Sequence, residues 1–269
     1  MRYMKKRKGK GIYLLPNLLT TIGLLSGFYS IVQTLDRQFT FAAIAILVSC
    51  LFDMLDGRVA RLTHTTSKFG VEYDSLSDVI AFGVAPGILV YVWALRGFGN
   101  FGWLAAFLFV ACGAVRLARF NIQVDTVQKK SFLGLPIPAA AAAIAGCVLL
   151  YSWSDPNILD SWLKYRGLLK SVFMPLLIYT LAFLMVSNIR YYSFKDMTYF
   201  KVKPFRSTVA AIMLIVIVLI EPKVTFFVVT LGYVFSGPVY TLMLHLKKPV
   251  AEQANLRSKE KPIDSDGQL

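Results

Sequence analysis

Four aspartates have the types and spacing of residues that bind metal and handle phosphate. Asp53 and Asp56 are three residues apart, and Asp74 and Asp78 are four apart. On helices, each pair projects from one face, so two neighbouring helices would direct four carboxylates at one point. Such a cluster repels itself unless a cation lies within it. Mg²⁺ and Mn²⁺ prefer oxygen ligands and also bind phosphates. The spacing therefore predicts a divalent metal site.

An ion-pair network is the alternative interpretation of the same acids. Arg58, Arg61 and Lys68 lie in the short stretch between the two aspartate pairs and could pair with them at the helix ends. Three cations cannot easily satisfy two inward-facing carboxylate pairs. The metal site is therefore the favoured hypothesis.

Small residues accompany the acids. Gly57 follows Asp56 directly, Ala60 comes three residues later, and Gly70 precedes Asp74 by four residues. Small side chains would let a bulky phosphorylated ligand approach the backbone. They also serve close helix packing in lipid, so the small residues alone do not decide between a ligand site and packing.

Long apolar stretches must position these residues. Of 269 residues, 56% are hydrophobic and 16% charged, whereas soluble domains average about 45–50% and about 25%. A membrane-spanning helix needs about 20 apolar residues. We therefore expect an all-α, polytopic transmembrane helix bundle of about eight spans. Their approximate ranges are 14–35, 40–57, 70–95, 101–120, 136–153, 172–189, 207–220 and 224–245.

The basic residues give this bundle an orientation. Eight spans place both termini on one side, and 23 of the 29 lysines and arginines fall on that side. Loops rich in lysine and arginine stay in the cytoplasm, so both termini are expected there. Anionic membrane lipids also account for the net charge of +14, and no nucleic acid is expected as a partner.

Composition divides the chain into three parts. Residues 1–13 are a basic cytoplasmic N-terminus, residues 14–246 form the transmembrane domain, and residues 247–269 turn polar without aromatic residues. Segments of low hydrophobicity cannot bury enough apolar surface to fold. The last part is therefore expected to be a disordered cytoplasmic tail.

The acidic stretch as a whole resembles the signature of the CDP-alcohol phosphatidyltransferases, integral membrane enzymes of phospholipid synthesis. Every motif position is filled in Asp53-x2-Asp56-Gly57-x2-Ala60-Arg61-x8-Gly70-x3-Asp74-x3-Asp78. Within that family, further stretches resemble the bacterial membrane-embedded phosphatidylserine synthases. These stretches are residues 16–20, 75–78, 82–86, 116–121 and 132–139.

The resemblance implies transfer of a phosphatidyl group from CDP-diacylglycerol to the hydroxyl of L-serine, giving phosphatidylserine and CMP. It implies a six-helix family core with two additional C-terminal spans and a homodimer. It also implies a bacterial inner-membrane location with a cytoplasm-facing active site. Two Mg²⁺ or Mn²⁺ ions would assist the transfer.

The resemblance also assigns roles to individual residues. Asp53, Asp56 and Asp74 would bind metal and, through it, the CDP diphosphate. Asp78 would share a metal and act as the general base on the serine hydroxyl. The CDP pocket would be lined by Gly57, Ala60, Arg61 and Gly70.

Other polar residues are candidates for substrate contacts. Asn17 and Thr20 would contact the nucleotide from the opposite side, although Asn17 could equally cap its helix after Pro16. Arg116 and Arg119 carry planar guanidinium groups suited to a carboxylate or phosphate, although both could instead extend to lipid headgroups. The same acceptor pocket could include Lys130 and Ser131.

Two alternative functions stay open at this point. The acceptor could be glycerol 3-phosphate or inositol phosphate, which would be expected to need a denser cationic pocket. The protein could instead be a cation transporter, but such proteins place polar groups near the membrane midplane with access from both faces. Here the acids gather toward one face, which favours the enzyme.

Overall fold

The structure is a computed structural model that describes residues 14–63, 67–124, 132–153, 172–191 and 222–259. Within these ranges the fold is helical apart from one very short pair of strands. The helices are α1 (Leu14–Leu35), α2 (Phe39–Thr63), α3 (Lys68–Phe98), α4 (Asn100–Val124), α5 (Ile137–Trp153), α6 (Met174–Val186) and α7 (Pro222–Lys259).

Helix α3 has a defined start and an irregular middle. Ser67 caps it, accepting a hydrogen bond at Oγ from the Gly70 N–H over 3.0 Å. A π-helical segment, Val79–Val84, follows the regular part directly, and the Ala85 N–H donates to the Ile80 carbonyl five residues back. Pro86 explains the irregularity, because its ring lacks an N–H and would clash with a carbonyl in a regular helix.

The two strands join the regions around α5 and α6. β1 (Phe132–Leu133) pairs antiparallel with β2 (Arg190–Tyr191), with Phe132 opposite Tyr191. Gly134 follows β1 with a φ of +80°, and a side chain there would collide with the Met185 carbonyl oxygen. Glycine fits this position because it has no Cβ. This pairing is a small addition to the predicted all-helical fold.

The core is centred on α5. Its residues Ala140, Ala141, Ile144 and Val148 are fully buried, and α2 and α7 both pack against it. Small side chains let neighbouring helices approach closely. Helix α1 lies along α2, and α4 packs against α6.

The outward faces are apolar. Five helices in the described ranges are long and apolar enough to cross a membrane: Leu15–Leu35, Phe39–Thr63, Lys68–Phe98, Asn100–Ile122 and Val224–Met243. Leu25, Phe101 and Phe183 are 65%, 76% and 71% exposed, and extensive exposed apolar surface of this kind fits contact with lipid. The protein is therefore embedded in a membrane.

Seven of the eight predicted spans coincide with helices in the described ranges. The first four and the eighth are confirmed as long apolar helices, although α2 extends to Thr63, beyond the predicted end at residue 57. The fifth and sixth correspond to the shorter apolar helices α5 and α6. The seventh, 207–220, lies outside the described residues, as does the basic N-terminus 1–13.

The C-terminal tail differs from its prediction. Helix α7 continues to Lys259, so residues 247–259 are helical where disorder was expected. The physical reason is local propensity: apart from Pro249, this stretch is rich in alanine, glutamate, glutamine, leucine, lysine and arginine, which are strong helix formers. Low hydrophobicity alone was therefore a poor guide there. Residues 260–269 lie outside the described ranges.

Candidate active site

The aspartates come together where α2 and α3 approach each other. Asp53 and Asp56 lie on α2 and Asp74 on α3, and each offers a carboxylate oxygen within 4.8 Å of the others. Asp56 is 6% exposed. Asp53 and Asp74 are partly buried, and like charges this close repel one another unless a cation lies between them. The geometry thus suits a metal ion bound by oxygen ligands.

Asp78 lies in the same cavity. All four aspartates line a cavity between α1, α2 and α3, together with Thr20, Gly23, Ser49, Ser77, Ala81 and Phe82. Asp78 is the last residue before the π-helical segment of α3. Irregular turns of this type are frequent at functional sites. The wider turn begins directly after the residue to which the family resemblance assigns the role of base.

Helix α1 contacts the carboxylates of the candidate metal site. Thr20 Oγ1 lies 2.9 Å from Asp56 Oδ2 and 3.1 Å from the Pro16 carbonyl oxygen, so the hydroxyl can donate to either. Thr21 Oγ1 lies 2.9 Å from the Tyr73 hydroxyl and links α1 to α3. A hydrogen bond to a metal-binding carboxylate fixes its orientation. Thr20 therefore holds Asp56 toward the cavity.

A larger open pocket adjoins the carboxylates. Its volume is about 190 Å³. Asp56 and Asp74 line both this pocket and the smaller cavity. A ligand in the pocket would therefore reach the carboxylates. All six residues predicted to contact CDP line it: Asn17, Thr20, Gly57, Ala60, Arg61 and Gly70.

The two glycines of the pocket have different surroundings. At Gly57, a Cβ would come no closer than 3.9 Å to its neighbours, the guanidinium nitrogens of Arg61. At Gly70, a Cβ would lie 3.1 Å from Ser67 Oγ and 3.2 Å from Asn17 Oδ1. Close packing therefore accounts in part for the glycine at position 70. At position 57 packing does not require a glycine, and its small size leaves the pocket open.

The two arginines of α4 have different positions. Arg116 is half-buried, its Nε has no hydrogen-bond partner among the described residues, and it interacts electrostatically with Asp78. Arg119 instead donates to Asn188 Oδ1 over 2.7 Å and to the Val186 carbonyl over 3.5 Å. The charge of Arg116 therefore influences Asp78 from outside the two cavities, whereas Arg119 ties α4 to the end of α6. Lys130 and Ser131 lie outside the described residues.

Several residues of the site were not anticipated. Ser49 and Ser77 line the aspartate cavity, and Ser67 lines the larger pocket. Ser77 is three residues from Asp74, so extending the helical face would have included it. Ser67 precedes a helix as an N-cap serine does. Ser49 donates to the Gly23 carbonyl over 2.8 Å, a contact without a sequence pattern.

Comparison with known proteins places this site in a family. The family model for CDP-alcohol phosphatidyltransferase matches residues 13–182. A CDP-diacylglycerol–serine O-phosphatidyltransferase of Helicobacter pylori (strain ATCC 700392 / 26695) is 46% identical over 187 residues, covering 68% of this chain and 74% of that protein.

More distant relatives agree. An archaetidylserine synthase of Methanothermobacter thermautotrophicus is 43% identical over 154 residues, covering 56% of this chain and 65% of its own. A CDP-diacylglycerol–serine O-phosphatidyltransferase of Mycobacterium tuberculosis (strain ATCC 25618 / H37Rv) is 33% identical over 174 residues, covering 61% of this chain and 60% of its own. The region matched by the family model contains the whole acidic motif and both pockets. This chain belongs to the CDP-alcohol phosphatidyltransferase family.

Proposed function

We propose that the protein transfers the phosphatidyl group of CDP-diacylglycerol to the hydroxyl of L-serine, giving phosphatidylserine and CMP. The observation that carries this proposal is the convergence of the four motif aspartates beside an open pocket lined by the six residues predicted to contact CDP. The acceptor rests on the relatives, because proteins 46% identical over most of their length are named serine phosphatidyltransferases.

The described residues fit a divalent metal. Asp53, Asp56 and Asp74 would hold it, since their carboxylate oxygens already lie within 4.8 Å of one another. Asp78 lines the same cavity and would share a second ion. Mg²⁺ or Mn²⁺ suits an all-oxygen site. Bound there, the metal would neutralise the diphosphate and stabilise the departing CMP.

The larger pocket would hold the cytidine nucleotide. Arg61 would supply a guanidinium to the phosphates, while Gly57 and Ala60 leave room beside the backbone. Asn17 and Thr20 would close the pocket from α1. The diphosphate would then lie nearest to the two aspartates that line both cavities, Asp56 and Asp74.

Asp78 and Arg116 would act on the acceptor. The serine oxygen forms a bond to the phosphorus that carries diacylglycerol, the bond from that phosphorus to the CMP oxygen breaks, and the serine proton passes to Asp78. A base must lie within about 3 Å of the atom that carries the proton, directly or through one water. Arg116, whose charge interacts with that of Asp78 and whose Nε has no hydrogen-bond partner among the described residues, would bind the serine carboxylate.

We also propose the finer topology that the charge pattern predicts. The chain would form eight spans, with a six-helix core, two additional C-terminal spans and both termini in the cytoplasm. The transmembrane domain would cover residues 14–246, between a basic segment 1–13 and a polar tail 247–269. The membrane would be a bacterial inner membrane, with the site facing cytoplasmic serine. A homodimer is part of the same proposal.

Acceptor-dependent CMP release tests the reaction. Detergent-purified protein is given CDP-diacylglycerol and Mn²⁺ with L-serine, glycerol 3-phosphate, inositol phosphate or no acceptor. We expect CMP release only with serine. Release that depends on another alcohol would leave the assignment of the site intact and would show that serine is not the acceptor. No release with any acceptor, under Mn²⁺ or Mg²⁺, would overturn the enzyme assignment in favour of cation transport.

A further inference from the structure

Three residues with hydroxyl groups line the aspartate cavity in the described part of the chain, and the protein itself engages two of them. Thr20 Oγ1 lies 2.9 Å from Asp56 Oδ2, and Ser49 Oγ donates to the Gly23 carbonyl over 2.8 Å. The third is Ser77, whose Oγ is buried and has no hydrogen-bond partner among the described residues. Its oxygen is therefore available to whatever occupies the cavity.

The side chain of Ser77 lies on the face of α3 that carries the carboxylates. Asp74 is three residues before it and Ala81 four residues after it, and both line the same cavity. Residues three or four apart on a helix are neighbours on its surface. Ser77 is only 4% exposed, so its single polar atom is turned to the interior of the protein.

The cavity admits only a small occupant. Its volume is about 10 Å³, which is about the space that one water needs. A nucleotide or an amino acid is far larger. The occupant that Ser77 meets is therefore an ion or a water, and neither substrate.

The surrounding charges favour a cation over a water. Three carboxylates offer oxygens within 4.8 Å of one another, and that of Asp78 lines the same cavity. Mg²⁺ takes octahedral oxygen coordination, and serine or threonine hydroxyls bind it in other sites of phosphoryl transfer. A hydroxyl adds a ligand without adding a further negative charge to the cluster.

We infer that Ser77 Oγ is a direct ligand of the divalent cation in this cavity, a neutral oxygen beside the aspartates. The inference rests on the metal site of the proposed function and deepens it. It adds a protein ligand at a position that the family motif leaves variable, within Asp74-x3-Asp78.

Ser77→Ala tests the role of this oxygen, since it removes the hydroxyl and little else. Mn²⁺ binding to the detergent-purified protein is measured without substrates, from the electron paramagnetic resonance signal of the free ion. We expect the Mn²⁺ affinity to fall about tenfold, an effect usual for groups that support a metal site. The melting temperature without added metal should stay close to that of wild type, because the hydroxyl has no hydrogen bond to the described residues.

Ser30→Ala is the matched control. Ser30 Oγ is likewise buried without a hydrogen-bond partner in the described ranges, and Ser30 is 0% exposed. It lines neither of the two cavities, so its Mn²⁺ affinity should equal that of wild type. Equal affinities in Ser77→Ala and Ser30→Ala would overturn the inference.

Ser77→Cys tests whether the contact is direct. Thiolate ligands favour Zn²⁺, whereas oxygen ligands suit Mg²⁺ and Mn²⁺. We expect the ratio of Zn²⁺ to Mn²⁺ affinity, measured by isothermal titration calorimetry, to rise about tenfold or more. Ser30→Cys should leave this ratio at the wild-type value. An unchanged ratio in Ser77→Cys would overturn direct coordination, even if Ser77→Ala binds Mn²⁺ weakly or does not accumulate.

The wild-type protein separates the two possible failures. Absence of Mn²⁺ binding to the wild type would overturn the metal site of the proposed function, and the inference with it. Mn²⁺ binding by the wild type, with unchanged metal affinities in both Ser77 variants, would overturn the inference alone.

Discussion

At the scale of single residues, the four aspartates divide into two groups that differ in their neighbours. Asp53, Asp56 and Asp74 form the compact group whose oxygens approach within 4.8 Å. Asp78 lines the same cavity and interacts electrostatically with Arg116. A carboxylate beside a half-buried arginine is well placed to act on an acceptor that the arginine binds. The proposed metal-binding and base roles thus follow from different neighbours.

Asp78→Asn should separate catalysis from folding. The amide keeps the shape of the side chain but cannot take a proton, so turnover should fall by about 100-fold or more, the usual contribution of a general base. CMP release measures turnover, and thermal unfolding in detergent checks the fold. Glu72→Gln, at an exposed position of α3, should remain active. Near-wild-type turnover in Asp78→Asn would remove it from the mechanism.

Gly57 offers a test of the nucleotide pocket. A Cβ at this position meets nothing closer than 3.9 Å, so Gly57→Leu should leave stability intact while filling the pocket. We expect the KM for CDP-diacylglycerol to rise roughly tenfold, equivalent to about 1.4 kcal/mol of lost binding. Steady-state kinetics with varied lipid donor measures this.

Gly232→Leu supplies the comparison for Gly57. Gly232 is an exposed helical glycine with open space around it, so the same substitution there should change neither KM. Equal donor KM values in the two leucine variants would place the nucleotide elsewhere.

At the scale of helices, α1 and α3 pack so closely that no side chain fits between them at one point. A Cβ on Gly27 would lie 2.6 Å from Ala81 Cα. The backbone of α3 cannot yield as a flexible side chain would, so the helices must separate. Gly27→Ala should therefore destabilise the protein by about 1–3 kcal/mol, the usual cost of overpacking. Thermal unfolding in detergent measures the loss.

Gly83→Ala is the control for this contact. A Cβ at Gly83 would meet Ile137 and Val110 at 3.7 and 3.8 Å, which is ordinary van der Waals contact. Its melting temperature should stay close to that of wild type. If Gly27→Ala also melted at the wild-type temperature, α1 and α3 would not approach each other as closely as the structure shows.

The helices themselves were largely predictable from hydropathy, whereas their irregularities were not. The ranges of α1, α3 and α4 follow the apolar stretches within a few residues. The π-helical segment Val79–Val84 is as apolar as its surroundings, so only Pro86 hinted at it.

The candidate site was likewise predictable from the sequence only in part. The motif indicated the aspartates and the pocket, because helical spacing alone places such residues on one face. The hydrogen bond from Arg119 to Asn188 instead depends on tertiary packing between α4 and α6, which lie far apart in the sequence. No local pattern encodes a contact of that kind.

At the scale of the whole molecule, the distribution of charge and the position of the site make one joint prediction. The aspartate pairs flank the basic stretch 58–68, which belongs to the side bearing 23 of the 29 basic residues. Since basic loops stay in the cytoplasm, both termini and the site should face that compartment. Green fluorescent protein should then fluoresce at either terminus, and alkaline phosphatase fused at either terminus should stay inactive. An active phosphatase fusion at the C-terminus alone would mean an odd number of spans, because each crossing reverses the side. The orientation of the core would still stand in that case, because the N-terminal fusion reports only the side on which α1 begins. Only the predicted number of C-terminal spans would then be wrong.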